Sequence, residues 1–463
     1  MRPVAPRRAP GEPAPAQRNS ATGPLDHTTV FANDFRRPTQ QERSVGADSQ
    51  QDVGRFAGHI TFISPFCPSH PTCPDVGDVD VSLAVHNQYP AHRRIELVRI
   101  VITGASGNVG TALLRRLAAG GEHEVVGLAR RPPTGGFPYA YAQWVAADLA
   151  DPTSGTALQL AMRGAVAVVH LAWGFQPSHD IGYLQALGVE GTGRVLAAAD
   201  AAGVPHLVHM SSVGAYSPKA NDRPVDESWQ TGGVPSSPYS RHKVAAERLL
   251  DAYERDTTSS RVLVTRLRPG IVGQRAAGSA LLRYGVPALV PSGALRTVPV
   301  LPLDRKLMIP MVHADDVTDA IVRVLESRAP GAFNLAASTP VTTAMIAAAL
   351  GAVHVQVPGA AVRALVNAAW QARLQAVDPG WLDLAYAVPL LDIGRAWLDL
   401  GWVPSVDGEV VLRETVAGMS EAAWSPSMAL RQRTVLQQVK QLLSEGPVSH
   451  RRLADKERRP VDA

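Results

Sequence analysis

Tyr239 and Lys243 stand four residues apart in Tyr239-Ser240-Arg241-His242-Lys243, downstream of the segment Met210-Ser211-Ser212-Val213-Gly214-Ala215-Tyr216. Side chains at i and i+4 share one face of a helix, so the Lys243 ammonium is expected near the Tyr239 phenol, where it favours the ionised form. That matters because an unperturbed phenol, with a pKa of about 10, is a poor base at neutral pH. Ser212 would hold a substrate hydroxyl or carbonyl against Tyr239 while hydride passes to or from a nicotinamide. A Tyr-x-x-x-Lys spacing alone also occurs on ordinary surface helices, so its weight rests on the elements around it.

The first of those elements is Thr103-Gly104-Ala105-Ser106-Gly107-Asn108-Val109-Gly110, which follows an apolar strand and opens an Ala/Leu/Arg-rich helix. Gly104, Gly107 and Gly110 permit a tight turn, close approach of backbone to a pyrophosphate, and close packing of helix on strand. The helix start at Asn108 and Val109 attracts the anion. An acidic residue at the end of the second strand would bind the adenosine ribose of NAD. Here Glu124-Val125-Val126-Gly127-Leu128 runs instead into Ala129-Arg130-Arg131. Guanidiniums at Arg130 and Arg131 attract a ribose 2′-phosphate, so NADP is expected in preference to NAD. Asp148, followed by Leu149, ends the third strand, where it accepts a hydrogen bond from adenine or caps the next helix. His170-Leu171-Ala172-Trp173 ends the fourth, with the backbone of Leu171 and Ala172 expected under the cofactor.

These pieces need a sheet to bring them to one edge. From residue 98 the chain alternates short apolar runs with longer helical ones, the pattern of βαβ units. Strands are expected at 98–103, 124–129, 143–146, 165–171, 206–211 and 262–268, and helices at 108–119, 153–163, 181–202 and 238–255. The fold class is therefore α/β, a Rossmann doubly wound parallel sheet over 98–270, with a smaller C-terminal substrate lobe over 271–425 interleaved with it. Residues 426–463 are expected to form a C-terminal helix and a basic tail: Ser425-Pro426 reads as a helix start, and Val435, Leu436, Val439, Leu442 and Leu443 make an apolar stripe before Gly446-Pro447.

Residues 1–97 are rich in Pro, Arg, Ser, Asp and Gln and carry no sustained period, so they are expected to be a disordered extension. Val98 is what a GTG start codon would encode, and the extension is accordingly expected to be an artefact of gene-start assignment. The whole chain of 463 residues is 45% hydrophobic and 19% charged, with a formal charge of +4. That charge is too small to imply nucleic acid as a partner. No apolar run approaches the roughly 20 residues that cross a bilayer, and a secretory leader is not evident, so no membrane partner is expected. Both cysteines, Cys67 and Cys73, precede the regular structure, which fits a cytoplasmic location.

No metal site is expected. Cys67, His70 and Cys73 have metal-like spacing but lie in the unstructured extension, and Asp315 and Asp316, beside His313, directly precede a helix and are expected to cap it. A nucleophile elbow and a Walker loop are both missing from the sequence.

Together the glycine loop, Asp148-Leu149, His170-Leu171-Ala172-Trp173, the Ser212 segment and Tyr239-x-x-x-Lys243 resemble the extended short-chain dehydrogenase/reductase family, NAD-dependent epimerase/dehydratase type, over roughly residues 98 to 425. Weaker matches are Arg268-Pro269-Gly270-Ile271-Val272-Gly273, Val312-His313-Ala314-Asp315-Asp316-Val317 and Phe333-Asn334-Leu335. The resemblance implies that Ser212, Tyr239 and Lys243 are catalytic, that Lys243 also binds the nicotinamide ribose, and that Pro269 and its neighbours contact the nicotinamide side. It implies an NAD(P)-dependent oxidoreductase or epimerase acting on a secondary alcohol or ketone, a sugar nucleotide among the substrates, and a homodimer. Two departures stand out. Gly188 occupies a place where the family usually has Asn, and Val213-Gly214 stand where its dehydratases carry an Asp-Glu pair, which disfavours dehydration. The alternative from another class is a non-catalytic, NADP-binding regulatory protein, which needs the glycine loop but not the trio. The small-molecule substrate is set by the second lobe, where Arg283, Arg296 and Arg305 offer cations for a sugar nucleotide's diphosphate, whereas a small apolar ketone would need none, and the sequence favours neither.

Overall fold

The computed structural model describes residues 98–434, apart from 122, 175–179, 257–260, 287–289, 373 and 375–376. The expectations for the extension, for the Cys67, His70 and Cys73 spacing and for the Val435–Leu443 stripe therefore lie outside the described residues.

The β-branched run Val98–Thr103 forms β1, and its neighbours in chain order are α1 (Asn108–Gly120), β2 (His123–Ala129), β3 (Ala142–Ala146), α2 (Gly155–Met162) and β4 (Ala167–His170). Then follow α3 (Ile181–Gln185), α4 (Gly191–Ala201), β5 (His206–Met210), α5 (Pro238–Arg255) and β6 (Leu263–Pro269). The chain then adds β7 (Ile271–Gly273), α6 (Gly278–Gly285), β8 (Val300–Leu303), β9 (Met308–Ile309), β10 (Met311–His313) and α7 (Ala314–Ser327). It continues through β11 (Gly331–Leu335), β12 (Val341–Thr342), α8 (Thr343–Leu350), β13 (Val353–Gln356), α9 (Gly359–Gln371), α10 (Pro379–Ala387), α11 (Gly394–Leu400) and α12 (Gly408–Ser420).

Seven parallel strands make the central sheet, in the order β11-β6-β5-β4-β1-β2-β3. The strand order reverses between β1 and β4, and a crevice opens there at the carboxyl ends, the place where doubly wound sheets bind dinucleotides. Alternation along β1 sends Ile100 and Ile102 to one core, with Leu113, Leu114, Val317, Ile321 and Trp402, and Val101 to the other, with Leu158, Val195, Leu207 and Leu250. Both faces are thus dry, as a parallel sheet requires. Three two-stranded sheets pair β7 with β10, β9 with β12 and β8 with β13.

Three differences from the sequence expectations have physical causes. The seventh strand, Gly331–Leu335, escaped because its run is short and begins with Gly; it pairs residue for residue with Thr265–Pro269 and returns the chain from the second lobe to the main sheet. The helix expected over 181–202 is interrupted by a π turn at Ala186–Glu190 between α3 and α4. The helix expected to start at Ser425-Pro426 is instead a tight turn: Leu430 N–H donates to the Ser427 hydroxyl at 3.2 Å, and that hydroxyl donates to the Ser106 carbonyl at 2.8 Å.

Candidate active site

The glycine loop joins β1 to α1 at the crevice. Gly104 has φ +69°, and a Cβ there would stand 2.7 Å from Ala172 N; one on Gly110 would stand 2.4 Å from the Gly104 carbonyl oxygen. These contacts leave room only for hydrogen and bring the β1 and β4 ends together. Gly107 caps α1 without a side-chain hydrogen bond, so the first-turn N–H groups are open toward the crevice. A diphosphate fits such a cradle. The Asn108 side chain turns elsewhere: its amide donates to the Val272 carbonyl (3.1 Å) and its oxygen accepts from Gln274 (2.6 Å), so only its backbone can serve an anion. Val109 packs against the core, and Leu149 is buried beneath Gly191.

Arg130 and Arg131 are exposed at the end of β2. Arg130 donates to the Tyr183 hydroxyl and lies 5.6 Å from its ring centroid, so α3 supplies an aromatic partner that sequence reading did not single out. Asp148 accepts from Ala150 N–H at 3.0 Å within the turn after β3, while the next helical turn, Pro152–Ser154, is capped by Asp151, so the helix cap expected as the alternative at Asp148 is corrected. Leu171 N–H donates to the Thr103 carbonyl at 3.1 Å, placing the Leu171-Ala172 backbone against the glycine loop.

A directed chain of hydrogen bonds ties these strand ends together. Thr192 donates to the Gly188 carbonyl (2.6 Å), so the His170 Nε2–H donates to Thr192 (3.0 Å) and Nδ1 accepts from Thr103 (2.7 Å), which in turn accepts from Ala172 N–H (3.3 Å). Burial, with the nearby Lys243 charge, pushes the His170 pKa down to about 3, which keeps the imidazole neutral in this role.

The trio sits at the end of β5 and the start of α5. Ser237 caps α5, accepting from Ser240 N–H, with Pro238 in the first turn; this sets Tyr239 one turn before Lys243. Ser212 is 8% exposed and hydrogen-bonds Tyr239, while its Oγ accepts Gly214 N–H at 3.0 Å. A Cβ on Gly214 would lie 3.0 Å from Tyr239 Cε1, so an acid at that position, as in dehydratases, would press the Tyr239 ring by a few tenths of an ångström. Lys243 is 2% exposed; its Nζ donates to the Met210 carbonyl at 2.7 Å and sits 3.5 Å from the Trp173 ring centroid. The Tyr239 ring centroid is farther, at 6.0 Å. Consequently burial dominates the phenol and raises its pKa to about 12, although the Ser212 hydrogen bond pulls the other way. The expectation that Lys243 favours the ionised phenol is thus reversed: the ammonium is turned to the Met210 carbonyl and the indole, and the phenol holds its proton at neutral pH.

Behind the trio runs an ion network. Glu247, on α5 one turn after Lys243, accepts from Arg268 Nε (2.8 Å) and Nη2 (2.7 Å) and from the Ser211 hydroxyl (2.5 Å). Arg268 also donates to the Tyr216 hydroxyl (3.0 Å), which donates to Asn334 on β11 (2.7 Å). Pro269, next to Arg268, is buried opposite Leu335 and leads β6 toward β7. From the second lobe, Trp381 on α10 lies 5.1 Å from the Tyr239 ring and completes an aromatic wall with Trp173, which meets Tyr239 edge-on at 6.4 Å. Glu247, Trp381 and the Trp173 side chain were missed because single residues at these positions carry no periodic signal.

His313 itself caps α7, accepting Asp315 N–H at 3.2 Å, so the caps expected at Asp315 and Asp316 are corrected. Asp315 pairs with Arg115 at 2.9 Å, and the buried Asp316 accepts from Ser405 N–H (3.0 Å) and Val406 N–H (3.2 Å), pinning that loop. In the second lobe, Arg283 donates to the Ala429 and Arg431 carbonyls and Arg296 pairs with Glu421, so both arginines already have protein partners. Among the described residues no group of three or more His, Cys, Asp or Glu could hold a metal ion, and no helix is long and apolar enough to cross a membrane.

A model of the NAD dependent epimerase/dehydratase family matches residues 100–336. An uncharacterized protein of Mycobacterium tuberculosis is 28% identical over 319 residues, covering 68% of this chain and 29% of that protein. The chain thus spans less than a third of the length of the first curated relatives it matches. A 2'-dehydrokanamycin reductase of Streptomyces kanamyceticus is 30% identical over 246 residues, 50% of this chain and 58% of the reductase. Among solved structures, MoeE5 in complex with UDP-glucuronic acid and NAD superimposes with a TM-score of 0.52 at 21% identity, covering 70% of this chain and 99% of MoeE5. A UDP-glucose 4-epimerase of Thermotoga maritima with UDP-glucose gives 0.53 at 18% identity, covering 70% and 99%. At these identities the structural likeness speaks for the fold.

Proposed function

Because the chain belongs to the NAD dependent epimerase/dehydratase family, we propose that it is an enzyme exchanging hydride between a nicotinamide cofactor, NADP in preference to NAD, and a secondary alcohol or ketone. The observation that carries this reading is the Ser212–Tyr239 hydrogen bond, with Lys243 one turn along α5, between the end of β5 and the start of α5. A bound nicotinamide supplies or accepts the hydride. Ser212 holds the substrate oxygen, and Tyr239, protonated at neutral pH, gives its proton to that oxygen as the carbonyl is reduced. In the reverse direction Tyr239 takes the proton back. Lys243 offers its remaining N–H donors to the cofactor ribose, and the aromatic wall of Trp173 and Trp381 keeps water from the phenol.

The relative named as a 2'-dehydrokanamycin reductase supports net reduction, one of the two directions in which such chemistry runs, epimerisation being the other. A carbohydrate ketone or secondary alcohol is the substrate class proposed. The preference for NADP rests on exposed Arg130 and Arg131 at the end of β2, where no carboxylate of that strand end would repel a 2′-phosphate. Fluorescence titration of the full chain with NADPH and NADH tests it. Tighter NADPH binding, lost in Arg130→Asp/Arg131→Asp, is expected; tighter NADH binding would overturn the preference. Tyr239→Phe should bind cofactor normally yet lose turnover of carbonyl substrates. Binding without turnover in the parent chain would return the protein to the class of cofactor-sensing regulators.

A further inference from the structure

Lys243 presents a problem in charge burial: the side chain is almost fully enclosed, and a bare buried ammonium is costly. Burial pushes the Lys243 pKa well below the ordinary lysine value, and the Glu247 charge one turn along opposes that only in part. On its own helix Glu247 is committed to Arg268 and Ser211, and Tyr239 is a neutral phenol. On β4 and β5 the buried imidazoles of His170 and His209 are neutral, both held there by burial. What remains is one carbonyl, that of Met210 at 2.7 Å, and the face of Trp173, whose centroid is 3.5 Å from Nζ. Trp offers the strongest aromatic face to a cation.

The chain has been shaped to seat that indole. A Cβ on Gly188 would stand 3.0 Å from Trp173 Cη2 and Cζ2, so alanine there would press the ring by a few tenths of an ångström and a bulkier residue would displace it. Gly188 lies inside the π turn Ala186–Glu190, the wider helical turn that faces the ring. The ring is then wedged edge-on against His209 (6.4 Å, 72°) and Tyr239 (6.4 Å, 81°).

We propose that Trp173 is a positioning residue for Lys243: its face, seated by Gly188 and the π turn, holds the ammonium against the Met210 carbonyl at the distance from Tyr239 that the reaction uses. The inference goes beyond the proposed activity but rests on it for the role of Lys243. Trp173 touches the ammonium and the phenol ring and acts through them.

The test uses the full chain with selectively labelled lysine. There are five lysines, Lys219, Lys243, Lys306, Lys440 and Lys456, so the Lys243 side-chain NMR signal is identified by its loss in Lys243→Arg. Protons above an indole face are shifted upfield by the ring current. An upfield Lys243 signal that moves back in Trp173→Leu and persists in weakened form in Trp173→Phe is expected. Turnover should follow, with kcat down about tenfold or more in Trp173→Leu, KM little changed, and much of the loss restored by Phe. Gly188→Leu, whose side chain pushes the ring aside without removing it, should reproduce the loss of shift and serves if Trp173→Leu does not fold. A Lys243 signal at an ordinary position in the parent chain, or a folded Trp173→Leu with unchanged kcat, would overturn the proposal. An upfield signal in a protein that reduces no carbonyl would uphold the contact and sink the enzyme reading, so the two failures are distinguishable.

Discussion

Glu247→Gln is nearly isosteric, yet it should be among the most damaging single changes in the described core. Glu247 is 1% exposed and takes a forked pair of hydrogen bonds from Arg268 at 2.8 and 2.7 Å, with Arg266 Nε a further 3.6 Å away. Burial pushes its carboxyl pKa up, but the hydrogen bonds and charge of Arg268, the Ser211 hydroxyl and Arg266 outweigh it and hold the group below the usual carboxylate value. Removing the charge leaves the Arg268 guanidinium, 6% exposed, without its counter-ion. Breaking a buried pair in this way costs about 3–5 kcal/mol. For a domain of this size that is a fall in melting temperature of roughly 5–10 °C, readable by circular dichroism. Since the folded pKa is depressed, the contribution is complete above the unfolded value near 4.5 and is lost as pH falls through the folded value. The gap between parent and variant should therefore be full at pH 7 and narrow only in acid. A variant that melts within 1 °C or so of the parent at pH 7, or a gap that widens in acid, would refute this account of the network.

Two further outcomes follow from the glycine loop and its neighbours. Gly104→Ala combines a left-handed backbone (φ +69°) with a Cβ 2.7 Å from Ala172 N, so a loss of about 2 kcal/mol or more and a marked weakening of cofactor binding are expected in urea melts and fluorescence titrations; an unchanged protein would contradict the packing described. Ser427→Ala removes the hydroxyl that serves the Ser106 carbonyl, leaving a buried acceptor at a cost of about 1–3 kcal/mol, and should weaken cofactor binding a few-fold although residue 427 is remote in sequence; unaltered cofactor affinity would show that the loop holds its shape without the C-terminal turn.

Much of the candidate site was legible in the chain because its signals are local. The glycine spacing between a strand and a helix, the i, i+4 placement of Tyr239 and Lys243, and the alternation of Ile100, Val101 and Ile102 between two faces each follow from the period of one element. Six of the seven sheet strands and the parallel α/β class came from the same source. Whatever depends on two distant segments meeting was decided only by the tertiary structure. Trp173 lies under Lys243 because β4 ends and α5 begins at one edge of the sheet, and the π turn opposite it has no mark in the sequence beyond Gly188. Ser425-Pro426 begins a turn and not a helix because the Ser427 hydroxyl finds the Ser106 carbonyl across the fold, a partner that local capping rules do not see. The phenol of Tyr239 is held protonated because burial outweighs the Ser212 hydrogen bond, while packing has aimed Lys243 at an indole and a carbonyl. Periodicity reports which face of an element is apolar; which charge, ring or carbonyl then meets that face depends on the sum of many weak contacts made at once.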